Sequence, residues 1–153
     1  MLFLRKVVEV DLPLIMAWRS NPLIFQGFYS QKEPLTWEEH IEWWHSRNQD
    51  WRMFIICLKE ETDIREIGLV SIGQLDHWSP EIGYFIGEIS LWGKGYGGEA
   101  VKLACEWLKT KGKQYTHTTI LDNNERSIRL IKSLGFEYLG KARKEESWYQ
   151  KKL

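Results

Sequence analysis

The sequence predicts one α/β domain, a mixed and mainly antiparallel twisted sheet flanked by helices. Three observations predict it. Short β-leaning apolar runs are interspersed with helix-period segments along the chain. Three of those runs, 51–58, 64–75 and 81–87, are separated only by short polar turns, the pattern of an antiparallel meander. The 153 residues, 43% hydrophobic and 27% charged, suit a single compact core spanning 1–153, with no linker, repeat or low-complexity tract to divide it.

The elements follow in order. Residues 2–8 form a short β-leaning run and read as the first strand. Asp11 stands where a cap belongs for a helix over 12–18, and Pro13 is tolerated in its first turn. Residues 20–34 read as a loop entered at Asn21-Pro22 and carrying Phe25, Phe28 and Tyr29. Thr36-Trp37-Glu38-Glu39 is a capping box that opens a helix to about residue 47, with Trp37, Ile41 and Trp44 on one face. The meander comes next, then a glycine-rich loop. The helix after it runs to about residue 111, with Val101, Ala104 and Leu108 spaced for burial and Gly112 as its stop. A strand over 115–121, a helix over 124–134 ending at Gly135, and a hairpin of 136–139 with 146–152 complete the chain.

Bulk charge excludes some functions. Twenty-one basic and 21 acidic residues cancel, so the electrostatic footprint of a nucleic-acid binder is missing. No apolar run approaches about 18 residues, so no membrane span is expected. The N-terminal stretch lacks the form of a secretory signal, which leaves the cytoplasm as the expected compartment. Cys57 and Cys105 lack metal-type spacing and read as buried thiols, and no metal site is expected. Nine tryptophans supply core or pocket walls.

Residues 91–100 read LWGKGYGGEA. Taken by letter, 93–98 match G-x-G-x-x-G, the dinucleotide fingerprint, and a strand and a helix flank it. A doubly wound domain needs several parallel strands after this point, however, and the 55 residues after Gly98 hold a strand, a helix and a hairpin. The more general physics survives: amides of a glycine loop joined to a helix N-terminus make an anion site. A tight turn alone would need fewer glycines.

The stretch resembles the acetyl-coenzyme A loop of the GNAT acetyltransferase superfamily, whose pattern is Arg/Gln-x-x-Gly-x-Gly/Ala. The last two positions are Gly95 and Gly97, and Trp92 replaces the Arg/Gln. The W-G-K-G-Y form resembles the branch that acetylates ribosomal-protein termini and its nucleotide-sugar relatives. Downstream, Asn124-x-x-Ser127 and then Gly135-Phe136 resemble the family's N-x-x-[AS]…G-F segment.

The resemblance implies a GNAT-like domain whose two central strands splay apart, with acetyl-CoA as cosubstrate. It implies that amides of Gly93, Lys94, Gly95, Tyr96, Gly97 and Gly98, with Trp92 beside them, hold the pyrophosphate. Asn124 would cap its helix and meet the pantetheine arm. Backbone amides at Phe85, Ile86 and Gly87 would polarise the thioester carbonyl. Glu81, at the start of the strand leading to the loop, is the first candidate for the general base. His77 and Asp76 on the adjacent turn, or a water-mediated base, remain alternatives. The family's acid, a tyrosine seven residues after the asparagine, is replaced by Ile131. Ser127 on the same helix face is the remaining candidate, unless the thiolate leaves unassisted.

The acceptor side is expected in the 20–34 loop and the helix after it, with Arg19, Phe25, Phe28, Tyr29 and Trp43 as lining residues. The segments AWRSNP and EEHIEWW, with His40, resemble the same region of acetyltransferases acting on nucleotide-linked amino sugars. The expected partner is therefore a small-molecule amine, best an amino-sugar nucleotide, and a homodimer is compatible with it. A protein N-terminal acetyltransferase acting on a peptide N-terminus and a non-catalytic coenzyme A sensor are the two alternatives.

Overall fold

The computed structural model describes residues 1–47 and 50–153. Its elements are β1 (Leu2–Lys6), α1 (Leu12–Arg19), α2 (Pro22–Phe25), α3 (Trp37–His45), β2 (Arg52–Lys59), β3 (Ile64–Gly73), β4 (Glu81–Ile86), α4 (Tyr96–Thr110), β5 (Tyr115–Leu121), α5 (Glu125–Ser133), β6 (Glu137–Arg143) and β7 (Glu146–Lys152). Seven strands form one sheet in the order β1-β2-β3-β4-β5-β7-β6. Every neighbouring pair is antiparallel except β4–β5.

The apolar run in β2 is continuous because both its faces are covered. Met53, Ile55 and Cys57 join one core with α1 residues Ile15 and Trp18 and with Ile24 of α2, while Ile56 and Leu58 join the other with Val101, Ala104 and Leu108 of α4. The predicted α4 face is thus the buried one. In β4 the same alternation sends Ile82 and Ile86 toward α4 and Phe85 toward α1.

Four sequence expectations are corrected. Asp11 does not cap α1 with its side chain: it faces backward, accepting from both Arg5 guanidinium nitrogens at 2.9 Å and from the Val8 amide at 2.8 Å. The 20–34 loop contains a short helix, α2, whose Asn21 cap accepts from the Leu23 amide and whose Pro22 opens the first turn. Trp37 is 45% exposed, because the buried line of α3 runs through the fully buried His40 and Trp37 only leans on that ring at 5.9 Å. The β6 strand extends to Arg143, past the predicted end at 139. Its mostly exposed, charged tail carries no apolar signal, as suits an edge strand.

The Arg5 guanidinium, and after it the Val8 amide, hold the Asp11 carboxyl below its ordinary range. A depressed carboxyl contributes stability that is present above the unfolded pKa and is lost as pH falls through the folded one. Asp11→Asn is therefore expected to cost about 1–3 kcal/mol near neutral pH. Denaturant melts should show that deficit shrinking as pH drops below about 4.

Candidate functional site

The site begins where β4 and β5 part. They share a single register pair, Glu81 with His117. The Thr118 hydroxyl donates to the Ile82 carbonyl at 2.7 Å, and beyond it the strands diverge without further pairing. The expected splay is present. Its closed end holds the start of β4, and its open end leads through residues 87–95 to the glycine loop.

Gly93 and Gly95 hold left-handed φ of +81° and +84°, which exclude most side chains without strain. They turn the chain so that Gly95 caps α4. Among the described residues, no protein acceptor meets the amides of 93–98, and the helix contributes its positive end there. That is a cradle of six free donors, of the kind a pyrophosphate fits. Lys94 is exposed beside it and Tyr96 is half-buried against the core.

Gly97 and Gly98 have a different reason to be glycine. A Cβ at Gly97 would stand 3.4 Å from both Leu130 and Tyr84, and one at Gly98 2.9 Å from Leu130. At Gly98 the missing side chain makes room for Leu130 of α5, whereas at Gly97 a Cβ would make ordinary contact with Leu130 and Tyr84 and only a larger side chain would crowd them.

Trp92 braces the loop. Its indole N–H donates to the Ile86 carbonyl at 2.8 Å, and the Arg126 guanidinium lies 4.2 Å over its ring. Its only donor is thus occupied, so any contact with a cofactor is through the ring.

The amides along β4 sort by the two-residue alternation of an antiparallel ladder. The Gly87 N–H donates to the Ile67 carbonyl at 2.7 Å, which by alternation turns Phe85 toward β3 as well. The gap-facing amides are those of Ile86 and Tyr84. Of Phe85, Ile86 and Gly87, only the Ile86 amide faces the gap, and the Tyr84 amide faces it as well. The Phe85 side chain instead packs against Phe28 and Trp18.

Asn124 caps α5, its Oδ1 accepting from the Ser127 amide at 3.3 Å. Ser127 shares a 2.7 Å hydrogen bond with the Tyr84 hydroxyl, and burial pushes that phenol up. Ile131 is fully buried, so the position of the family tyrosine is here part of the core. Tyr84 comes from another element, which is why a search along α5 alone misses it.

At the closed end, Glu81 Oε2 lies 3.5 Å from His117 Nε2. His117 Nδ1 lies 2.7 Å from the Ser79 carbonyl, which can only accept, so the Nδ1 proton points there. Nε2 is the ring nitrogen that faces Glu81. His117 was invisible in the sequence, because only the strand register places it opposite Glu81. A cleft of about 490 Å³ opens here between Asp76, His77, Trp78, Glu81, His117 and Trp148. His77 is engaged with the Ser79 backbone.

The expected acceptor residues divide. Phe25 is buried and anchors α2. Phe28 lies against Phe85. Tyr29 lies under the Arg143 guanidinium at 3.8 Å, and a Cβ at Gly27 would stand 3.4 Å from Asn124 Nδ2, so this loop reaches both α5 and β6. Arg19 donates to His40 Nδ1 at 3.1 Å and lies 4.1 Å over the Trp43 ring. His40 Nε2 lies 2.8 Å from the Leu12 carbonyl, which fixes the neutral tautomer, and burial holds its pKa down.

Cys57 and Cys105 are free and buried. Burial pushes both thiols up, Cys105 to about 11, so neither is poised as a thiolate nucleophile. No helix among the described residues is long and apolar enough to cross a membrane.

A model of the acetyltransferase (GNAT) domain matches residues 1–137. The chain belongs to the GNAT acetyltransferase family. Acetyl-CoA is the cosubstrate of this family. The uncharacterized protein MJ1062 of Methanocaldococcus jannaschii is 49% identical to this GNAT chain over 154 residues, 99% of the chain and 31% of the relative. The chain thus spans about a third of that relative's length. The crystal structure of a domain from Methanocaldococcus jannaschii superimposes with a TM-score of 0.96 at 48% identity, covering 100% of this chain and 99% of that one. The aminoglycoside acetyltransferase AAC(6')-Ib, solved in complex with coenzyme A, shares the fold with a TM-score of 0.84 at 18% identity, over 99% of this chain and 95% of its own.

Proposed function

We propose that the chain transfers an acetyl group from acetyl-CoA to a primary amine by direct attack in a ternary complex, with an amino-sugar nucleotide or similar small amine as acceptor. One observation carries this reading: the β4–β5 gap has free loop amides at its open end and the Glu81–His117 pair at its closed end. About six residues of β4 separate them, a span of about 20 Å, which an extended pantetheine arm can bridge. The two expected motifs supply the same parts, and the aminoglycoside-acetylating neighbour has an amine acceptor on this fold.

Each side chain then has a task. Glu81 takes the proton that the attacking nitrogen must lose as the C–N bond forms and the C–S bond breaks, directly or through water. His117, at 3.5 Å, positions the Glu81 carboxylate. The gap-facing Tyr84 and Ile86 amides offer donors to the developing oxyanion. Ser127, bonded to Tyr84, is placed to return a proton to the departing thiolate. The amides of 93–98 hold the pyrophosphate, and the Asn124 amide faces the pantetheine. With both thiols buried, no acetyl-enzyme is needed.

An acceptor screen tests the proposal. Enzyme and acetyl-CoA are mixed with amino-sugar nucleotides, polyamines, aminoglycosides and peptides with free N-termini, and thiol release is followed. Turnover with small amines is expected. Turnover only with peptides would replace the acceptor, and binding of acetyl-CoA with no turnover across the panel would overturn the enzymatic reading.

A further inference from the structure

The described residues contain two buried side-chain polar atoms with no hydrogen-bond partner, Gln31 Oε1 and Arg47 Nε. Both belong to the acceptor half, and such atoms call for an explanation. Arg47 lies 4.4 Å over the Trp51 ring and 5.2 Å from the Trp43 ring. Arg19 lies over the same Trp43 ring. Of five guanidinium N–H donors each, Arg19 uses one on His40, and among the described residues the Arg47 side chain has no hydrogen-bond partner, its Nε being buried as well.

Among the described residues neither arginine is in an ion pair, although Arg5, Arg65 and Arg143, all nearer the surface, each have a carboxylate. Burial lowers the pKa of both, and the charge of Arg47 lowers that of Arg19 further. Two neighbouring cations are thus held partly out of water with no carboxylate at ion-pair distance among the described residues, the charge of Glu81 reaching Arg47 only from farther away, an arrangement that packing alone does not favour. Stacking on indole holds each guanidinium flat and leaves its N–H edges free for a forked contact.

Their position ties them to the reaction. The Trp51 ring covers Gly73, where a Cβ would lie 2.6 Å from it. Gly73 is the strand partner of Glu81, and Glu81 is the carboxylate whose charge reaches Arg47. The two arginines and the proposed base therefore flank one region on one face of the sheet.

We infer that Arg19 and Arg47 form an oxyanion subsite, stacked on Trp43 and Trp51, that takes a phosphate or carboxylate carried by the amine acceptor. This rests on the reading of that face as the acceptor side. It narrows the acceptor to amines that also bear an anionic group, and it disfavours simple polyamines.

Anion binding tests this without turnover. The protein is saturated with coenzyme A, so that the glycine loop is filled, and titrated with pyrophosphate, inorganic phosphate or succinate at constant ionic strength while tryptophan fluorescence is read. Saturable binding is expected, and preference between the phosphates and succinate identifies the anion. Arg47→Gln and Arg19→Gln should each weaken it about tenfold or more, with Arg47→Lys retaining part. Because the Arg47 side chain has no hydrogen-bond partner among the described residues, Arg47→Gln decides the matter if Arg19→Gln, which loses the His40 contact, fails to fold. Absence of saturable binding, or equal affinity in folded Arg47→Gln, would overturn the subsite. Amine acetylation with no anion binding sinks this inference alone, whereas anion binding without acetylation sinks only the proposed reaction.

Discussion

Glu81→Gln is expected to lower turnover by about 10²–10⁴-fold, the usual worth of a positioned general base. The amide cannot take the amine's proton, yet it keeps nearly the same shape beside His117 Nε2, 3.5 Å away in the native site. Acetyl-CoA affinity should stay within about twofold, because the loss of an interaction made only in the transition state lowers kcat and kcat/KM together. The acid limb of the pH–rate profile, which reports the base being deprotonated, should vanish in the variant. A folded Glu81→Gln enzyme with the native profile would remove Glu81 from the role. His117, whose Nδ1 faces the Ser79 carbonyl, would then be the next group to test.

Gly95→Val is the second large effect. The native φ of +84° belongs to the left-handed region, and the cap it forms starts α4. A β-branched residue there costs roughly 1–2 kcal/mol or more in backbone strain. The cheaper outcome for the chain is to shift the loop, which misaligns the free amides of 93–98. Acetyl-CoA affinity should fall about tenfold or more, equivalent to about 1.4 kcal/mol. No neighbour lies within 4 Å of a Cβ at Gly95, so the effect cannot be assigned to crowding within the protein. Gly97 is the contrast. A single methyl there makes ordinary contact at 3.4 Å with Leu130 and Tyr84, so Gly97→Ala should be nearly neutral, while Gly97→Val strikes those side chains. Isothermal titration of both Gly95→Val and Gly97→Ala with acetyl-CoA separates backbone geometry from crowding.

Most of the fold was legible because its signals are local. The capping box at Thr36 and Glu39 forms as read, with the Glu39 amide donating to Thr36 Oγ1. Gly112 and Gly135 stop their helices with φ of +77° and +93°. The strand over 115–121 coincides with β5, and 146–152 with β7. What stayed hidden depends on long-range pairing. Nothing near His117 in sequence announces that it faces Glu81, because a parallel pair across α4 decides it. Tyr84 meets Ser127 from 43 residues away. The short α2 has too few residues to show a period, and the charged end of β6 has no buried face to mark it as a strand. The glycine run forms the loop between β4 and α4 as read, but its four glycines serve two purposes. Gly93 and Gly95 supply backbone angles, while Gly98 gives room to Leu130 of α5 and Gly97 leaves space there for no more than a methyl. Letters alone do not divide them.

The central claim is direct transfer within a ternary complex, and initial-rate kinetics with the best acceptor from the screen tests it most directly. Acetyl-CoA and amine are varied together, and the intact mass of the protein is taken after incubation with acetyl-CoA alone. Buried, high-pKa thiols at Cys57 and Cys105 and a base at the closed end of the gap predict intersecting double-reciprocal lines and an unmodified chain. Parallel lines together with an acetylated chain would contradict it.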